Sequence, residues 1–147
     1  MGNQASDMKQ ATFLIVEDDE NNRIIAAKLL QLEGVPSSNI FAVAEDPLPF
    51  LQNLTQPVNL ILLDLQLPGK DGYKVLRELK NSQLFAHIPI IAMTANVMRT
   101  DIEQMHTAGF DGFIGKPINA RRFGEWIKRS LAGEDVWPMK HYSQKGQ

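Results

Sequence analysis

The stretch that decides the fold of this chain runs Val58-Asn59-Leu60-Ile61-Leu62-Leu63-Asp64-Leu65-Gln66-Leu67-Pro68-Gly69-Lys70-Asp71-Gly72. Its residues 60–63 form an apolar run that is too short for a helix and is bounded by turn residues, which is typical of a strand buried on both faces of a parallel sheet. Asp64 stands where this strand ends, and the glycines and the proline after it break the chain. Ligands of open parallel sheets bind beyond the carboxyl ends of the strands. We therefore expect Asp64 to face a binding site.

Three further apolar segments end in polar groups in the same way. They are residues 13–16 before Glu17-Asp18-Asp19, residues 88–93 before Thr94, and residues 112–115 before Lys116-Pro117. If these strands lie parallel in one sheet, then acids, a hydroxyl and an ammonium meet at its carboxyl edge. Such a combination can hold a divalent cation beside a phosphoryl group.

Helices are predicted between these strands, and residues 40–43 form a further short strand. The expected helices, with the residues expected to face the core, are 20–33 (Ile25, Leu29, Leu32), 46–54, 72–81 (Val75, Leu76, Leu79), 98–108 (Met98, Ile102, Met105) and a last helix capped by Asn119 (Ala120, Phe123, Ile127, Leu131). Strands and helices thus alternate five times. This alternation predicts an α/β fold, a three-layer sandwich with right-handed crossovers.

The length of 147 residues suits one domain. We expect a flexible N-terminal tail over residues 1–11, the folded domain over 12–132, and a C-terminal extension over 133–147. The extension contains Trp137, which can pack on the domain, pack on a partner or stay free. We expect no separate output domain within these residues.

Composition excludes several functional classes. The net charge of −2 gives no electrostatic footprint for nucleic acid, and the absence of cysteine excludes disulfides, thiolate metal sites and a cysteine nucleophile. No apolar run approaches the length of a membrane span, and no signal peptide is visible, so a soluble cytoplasmic protein is expected. Residues 1–6 fit the loose myristoylation pattern, which we interpret as a chance match in a polar leader.

The four strand ends together resemble the receiver domain of bacterial two-component response regulators. The resemblance spans residues 12–131 and rests on Glu17-Asp18, on Asp64 followed by Leu67-Pro68 and Asp71-Gly72, on Thr94-Ala95 and on Lys116-Pro117. It implies a CheY-like fold whose five-stranded parallel sheet has the order 2-1-3-4-5. The proline-rich residues 45–49 depart from the family's usual start of the second helix.

The resemblance also implies a role for each site residue. Asp64 is the expected phosphoacceptor, which takes a phosphoryl group from a phosphohistidine of a sensor histidine kinase or a histidine phosphotransfer protein. The implied cofactor is Mg²⁺, with Mn²⁺ as a substitute. Asp18, Asp64 and the backbone carbonyl of Gln66 are the expected direct metal ligands, and Glu17 is an expected ligand through water. Lys116 and Thr94 are the expected partners of the phosphoryl oxygens. Thr94 and Phe113 are the expected switch residues, and Gln66 and Asn96 are expected to tune dephosphorylation.

Each of these residues also has a purely structural interpretation. The acids after the first strand can cap a helix and compensate its dipole, and Asp19 is expected to do only that. Lys116 can be a surface lysine, Thr94 a β-branched strand residue, and Phe113 a core residue.

We expect a single-domain receiver that signals through phosphorylation-dependent contacts with a protein on the face of helix 4, strand 5 and helix 5. It would catalyse only its own phosphoryl transfer and autodephosphorylation and would otherwise be no enzyme. The sequence leaves open whether the protein forms a homodimer. The alternatives are a phosphorelay intermediate and a phosphorylation-independent adaptor. A haloacid-dehalogenase-like phosphatase is disfavoured, because its second Asp would stand at Gln66.

Overall fold

The computed structural model describes residues 7–134 and Trp137, and its centre is a parallel sheet of five strands. The strands are β1 (Phe13–Val16), β2 (Ile40–Val43), β3 (Leu60–Asp64), β4 (Ile90–Thr94) and β5 (Gly112–Gly115). Their order in the sheet is β2-β1-β3-β4-β5, and each neighbouring pair is parallel. The predicted fold class and strand order are confirmed.

Side chains that alternate along the central strands divide the core into two clusters. Phe13 and Leu60 belong to one cluster, and their chain neighbours Leu14 and Ile61 belong to the other. This two-residue alternation is a property of extended backbone, in which successive side chains point to opposite faces. Because both faces are covered, β1, β3 and β4 are buried along their whole length.

The helices of the described residues are shared between the two faces of the sheet. They are α1 (Glu20–Leu32), α2 (Leu48–Asn53), α3 (Gly72–Lys80), α4 (Arg99–Ala108) and α5 (Ala120–Leu131), with a 3₁₀ turn at Ser37–Asn39. Buried residues of α1 and α5 join the cluster that contains Phe13, whereas those of α2, α3 and α4 join the cluster that contains Leu14. The predicted inward residues of α3 are all buried. None of these helices is long and apolar enough to cross a membrane.

The predicted core face of α1 is wrong for two of its three residues, because only Leu29 packs against the core. Ile25 and Leu32 are 47% and 80% exposed, whereas Ala26 and Leu30 are fully buried. Apolar residues lie on several sides of this helix, so their spacing fits more than one face. The face is decided by the packing of α1 against the sheet and α5, where the small side chain of Ala26 lies in the core.

Several element ends also differ from the prediction. Met98 is 71% exposed because it is the N-cap residue that precedes α4, outside the helical stripe. Ala120 is exposed at the first position of α5. Strand β4 begins at Ile90, two residues later than expected, and includes Thr94. Helix α2 begins at Leu48, and the Asp46 carboxylate accepts a hydrogen bond from its first N–H.

The end of the predicted N-terminal tail belongs to the folded body. Met8 and Ala11 are buried in the same cluster as Phe13, and the N–H groups of Gln10 and Ala11 donate to the carbonyl of Asp7. The tail was predicted from polar composition, but these two apolar side chains cover the edge of the core. Residues 1–6 of the expected tail lie outside the described residues, as do 135–136 and 138–147 of the extension. The division into three segments stays a prediction.

Candidate functional site

The carboxyl ends of four strands bring the predicted residues to one edge of the sheet. Asp64 is the last residue of β3 and Thr94 the last residue of β4. Glu17 follows β1 directly, and Lys116 follows β5. The strand register fixes these positions, because Val16 pairs with Leu63 and Thr94 pairs with Gly115.

Three carboxylates form the centre of this edge. Glu17, Asp18 and Asp64 each offer an oxygen, and these oxygens all lie within 4.8 Å of one another. Glu17 and Asp64 are 1% and 2% exposed, whereas Asp18 is open to solvent. Carboxylates so close together repel one another, and a hard divalent cation relieves that repulsion. The donor set fits Mg²⁺, which prefers oxygen ligands.

The ammonium of Lys116 lies against the same carboxylates. Its Nζ atom is 2.8 Å from Glu17 Oε1 and 3.3 Å from Asp64 Oδ1. The contact with Glu17 is a close ion pair with a buried carboxylate. The peptide bond between Lys116 and Pro117 is cis. Lys116 therefore neutralises part of the negative charge at the site.

Burial and neighbouring charges shift the pKa values of Glu17 and Lys116. Burial raises the pKa of Glu17 above its usual value, and the Asp64 carboxylate adds to the rise, while contacts with Lys116 and with the Asp19 N–H oppose it. Burial by itself would lower the pKa of Lys116, but the two carboxylates outweigh burial and raise it. The ammonium is thus held in its charged form beside Asp64.

The loop after β3 holds the Asp64 carboxylate by backbone contacts. The N–H of Gln66 donates to Asp64 Oδ1 at 3.0 Å, and the N–H of Gly72 donates to the carbonyl of Leu65. A Cβ atom at Gly72 would lie 2.7 Å from the Leu65 Cα atom. This loop can therefore return to the start of α3 only with glycine at position 72. That the Gln66 carbonyl is a metal ligand stays a prediction.

Thr94 fits its structural interpretation as a buried strand residue, and its role towards the phosphoryl oxygens stays a prediction. Its side chain is buried at the end of β4, and its hydroxyl accepts a hydrogen bond from the N–H of Asn96 at 2.9 Å. A hydroxyl that accepts in this way can still donate its proton to another group. The amides predicted to tune dephosphorylation, Gln66 and Asn96, are both exposed on loops that leave this edge.

Phe113 lies within β5, three residues before Lys116. It is buried in β5 and belongs to the cluster under α3 and α4. Its ring also contacts Trp137, at 5.9 Å between centroids. The structural interpretation of Phe113 is thus confirmed, and its switch role stays a prediction.

The first turn of α1 holds the acidic pair in place. Asp19 caps the helix by accepting from the N–H of Asn22, as expected. Arg23, which we did not predict as part of the site, donates to the carbonyls of Glu17 and Asp18 at 2.8 and 3.1 Å. Its position one turn into the helix, five residues after Asp18, is the signal that could have identified it.

Lys70 is the second residue that sequence reasoning missed. Its Nζ atom lies 2.8 Å from Asp46 Oδ2 and 2.6 Å from Glu78 Oε1. It thus ties the loop after β3 to the start of α2 and to α3. A lone lysine in a turn carries no sequence signal for such contacts.

Comparison with known proteins identifies the family. The profile of the response regulator receiver domain matches residues 13–128. The chain belongs to this family. It is 36% identical over 120 residues to the polar-differentiation response regulator DivK of Brucella ovis, and this match covers 82% of the chain and 95% of that protein.

Two further similar proteins are a hybrid histidine kinase and the receiver domain of a sensor histidine kinase. A hybrid signal transduction histidine kinase of Dictyostelium discoideum is 34% identical over 79% of the chain, which spans 7% of that protein. The receiver domain of a sensor histidine kinase from Pseudomonas aeruginosa is 28% identical, with a TM-score of 0.71 over 83% of the chain and 98% of the other. That receiver has a magnesium ion coordinated in its active site cleft. A response regulator from Chloroflexus aurantiacus shares the fold, at 24% identity and a TM-score of 0.73 over 83% of the chain and 98% of the other.

Proposed function

We propose that this receiver accepts a phosphoryl group on Asp64 with Mg²⁺ and signals through protein contacts that depend on phosphorylation. One observation carries the proposal: a buried carboxylate at a strand end lies within 4.8 Å of two further carboxylates and 3.3 Å from a lysine ammonium. A nucleophile, a cation site and a fixed positive charge are the groups that phosphoryl transfer to a carboxylate requires.

In the proposed reaction, an oxygen of Asp64 attacks the phosphorus of a phosphohistidine on a sensor kinase or a histidine phosphotransfer protein. The P–O bond of an acyl phosphate forms while the P–N bond breaks, and the electron pair leaves with the imidazole nitrogen. Glu17, Asp18, Asp64 and the Gln66 carbonyl are the proposed ligands of Mg²⁺. When bound, the cation offsets the repulsion between the carboxylate and the incoming phosphoryl group.

The residues of the chain then stabilise the added charge. The Lys116 ammonium already lies beside Asp64 and can reach a phosphoryl oxygen as a mobile point charge. The Thr94 hydroxyl can donate to another oxygen while it still accepts from Asn96. Hydrolysis of the acyl phosphate needs an oriented water, and the amides of Gln66 and Asn96 can orient one but cannot take its proton.

The magnesium-bearing receiver from Pseudomonas aeruginosa, at 28% identity, supports the choice of metal. The kinase or phosphotransfer partner, a downstream protein and a cytoplasmic location belong to the same proposal. Transfer onward to a histidine phosphotransfer protein, as in a relay, and a phosphorylation-independent adaptor role are the alternatives that the experiment below separates.

The experiment is labelling by acetyl phosphate or phosphoramidate, followed by intact-mass and peptide analysis. We expect the wild-type protein to gain one phosphoryl group on Asp64 only when Mg²⁺ or Mn²⁺ is present. Asp64→Asn and Asp18→Ala should abolish labelling. Asp71→Asn is the matched control: Asp71 caps α3 at the same edge, and asparagine caps a helix equally well.

Labelling of Asp64→Asn on the same peptide would refute the assignment of the phosphoacceptor. A wild-type protein that is never labelled would favour the adaptor role. Loss of the label to an added histidine phosphotransfer protein, with recovery of the label on that protein, would favour the relay role.

A further inference from the structure

Trp137 connects the C-terminal extension to the outer side of α4 and β5. Its ring lies 4.9 Å from the His106 ring and 5.9 Å from the Phe113 ring, between centroids. Trp137 is partly buried and packs against the core cluster under α4. We call His106 and Phe113 the aromatic seat.

The aromatic seat is made of one exposed and one buried ring. His106 lies in the last turn of α4 and is exposed, whereas Phe113 is buried in the middle of β5. Trp137 contacts both, so the seat takes a large aromatic side chain from a segment beyond α5. Two centroid distances below 7 Å are in the range of favourable aromatic pairs.

The aromatic seat is linked to the phosphorylation site through β5. Phe113 stands three residues before Lys116, and its strand partner Ala92 stands two residues before Thr94. The N–H of Lys116 donates to the carbonyl of Thr94 at 2.9 Å, which joins the ends of the two strands. A movement of either strand end therefore acts on the backbone that carries Phe113.

The contacts at these strand ends would change when Asp64 carries a phosphoryl group. Lys116 here pairs with Glu17 and Asp64, and the Thr94 hydroxyl accepts from Asn96. Phosphoryl oxygens would draw the ammonium away from Glu17 and the Thr94 hydroxyl towards Asp64. Trp137 thus contacts the aromatic seat in the unphosphorylated protein, before these changes occur.

We propose that Trp137 closes the aromatic seat in cis and leaves it when Asp64 is phosphorylated, which exposes the seat to an aromatic side chain of a partner protein. This inference rests on the proposed function. Because coupling between two sites is reciprocal, loss of Trp137 should in turn strengthen binding at the phosphorylation site. A purely structural role of Trp137, which only covers apolar surface, predicts no such coupling.

The first test uses fluorescence of the full chain, which has two tryptophans. Trp126→Phe leaves Trp137 as the fluorophore, and Trp137→Phe leaves Trp126, which is buried in α5, as the matched control. On addition of Mg²⁺ and beryllofluoride, a mimic of the phosphoryl group, we expect Trp137 emission to shift to the red and its quenching by acrylamide to increase. Trp126 should change less, and Asp64→Asn should remove the response.

The second test measures the coupling and does not depend on the Trp126 substitution. Trp137→Ala in the otherwise intact chain should lower the apparent Kd for beryllofluoride by about fivefold or more. The binding is measured by thermal shift at constant Mg²⁺. Leu84→Ala, a change of an exposed apolar residue in the loop between α3 and β4, is the control and should leave the affinity unchanged.

The outcomes separate this inference from the proposed function. A thermal shift by beryllofluoride with unchanged Trp137 emission and unchanged affinity in Trp137→Ala overturns the inference alone. No thermal shift in the wild-type protein overturns both. A Trp137 response that persists in Asp64→Asn also overturns the inference, because the cause would then lie outside the phosphorylation site.

Discussion

Lys116 is the residue whose charge we expect to affect both the stability and the proposed chemistry. It faces Glu17 and Asp64, two carboxylates that are almost fully removed from water. Loss of one partner of a buried pair leaves the other charges without compensation, which is more costly than the loss of an exposed pair. Because Lys116 is itself partly open to solvent, we expect Lys116→Met to lower the free energy of unfolding by about 1–3 kcal/mol.

A double-mutant cycle measures the pairwise part of this effect. Lys116→Met combined with Glu17→Gln should give a coupling energy of about 1 kcal/mol in urea denaturation. The pair of Lys128 and Glu33, at 3.2 Å on the surface between α5 and α1, is the control. Its coupling should be only a few tenths of a kcal/mol. Equal coupling in the two cycles would mean that solvent screens Lys116 as well as it screens the surface lysine.

The ends of β1 and β3 together form the proposed metal site. Mg²⁺ bound to the native state alone raises stability by mass action, by about 2.7 kcal/mol at a hundredfold excess over Kd. We expect Mg²⁺ to raise the Tm of the wild-type protein and to have little effect on Asp18→Asn. Asp19→Asn is the control, because Asp19 caps α1 and asparagine can replace it in that role. Equal increases of Tm in Asp18→Asn and Asp19→Asn would mean that the ion binds at another site.

The loop between β3 and α3 is stabilised by Lys70, and this contact gives a pH dependence. Burial by itself would raise the pKa of Asp46, but its hydrogen bonds with Lys70 and the Leu48 N–H lower it. The hydrogen bond with Asp46 and the ion pair with Glu78 raise the pKa of Lys70. The contribution of Asp46 is therefore complete above its unfolded value of 3.8 and is lost as the pH falls below that value. That of Lys70 is complete below 10.5 and is lost as the pH rises above it.

Lys70→Met tests this contact. Between pH 3.8 and pH 10.5, this substitution should lower the free energy of unfolding by a constant amount. The amount is up to about 1 kcal/mol, because all three side chains are partly exposed. The difference from the wild-type protein should shrink towards about pH 3. Urea denaturation at acidic and neutral pH measures it. A difference that grows on acidification would show that Lys70 acts through another contact.

The whole fold was largely predictable because strands, helices and turns alternate in a regular pattern. The edge that gathers Glu17, Asp64, Thr94 and Lys116 followed from parallel strand ends, but the strand order came from the resemblance to a family. The buried face of α1 could not be predicted. It depends on how the helix is rotated against the sheet, which residue spacing does not determine when apolar residues surround a helix.

Contacts between distant segments were the other part that sequence could not provide. Lys70 meets Asp46 and Glu78, and Met8 enters the core beside α1 and α5. Trp137 meets the aromatic seat, where the sequence left three possibilities open. Each of these contacts joins single residues from unrelated positions, and none repeats along the chain.

The face formed by α4, β5 and α5 is the proposed output surface of the molecule. Ile102 and Phe123 are buried beneath it, whereas Val97 and Met98 are exposed where the chain enters α4. We expect beryllofluoride with Mg²⁺ to change amide exchange across residues 95–125, because Thr94 stands directly before this region and Lys116 lies within it. Changes confined to the loops around Asp18 and Asp64 would mean that this face does not carry the output.

The distribution of the site over four strands has a consequence for the newly made chain. Glu17 leaves the ribosome early, Asp64 follows much later, and Lys116 emerges only after β5 has been synthesised. In the nascent chain the carboxylates thus precede the ammonium that compensates them. Competence for the proposed phosphoryl transfer should therefore appear only late in translation.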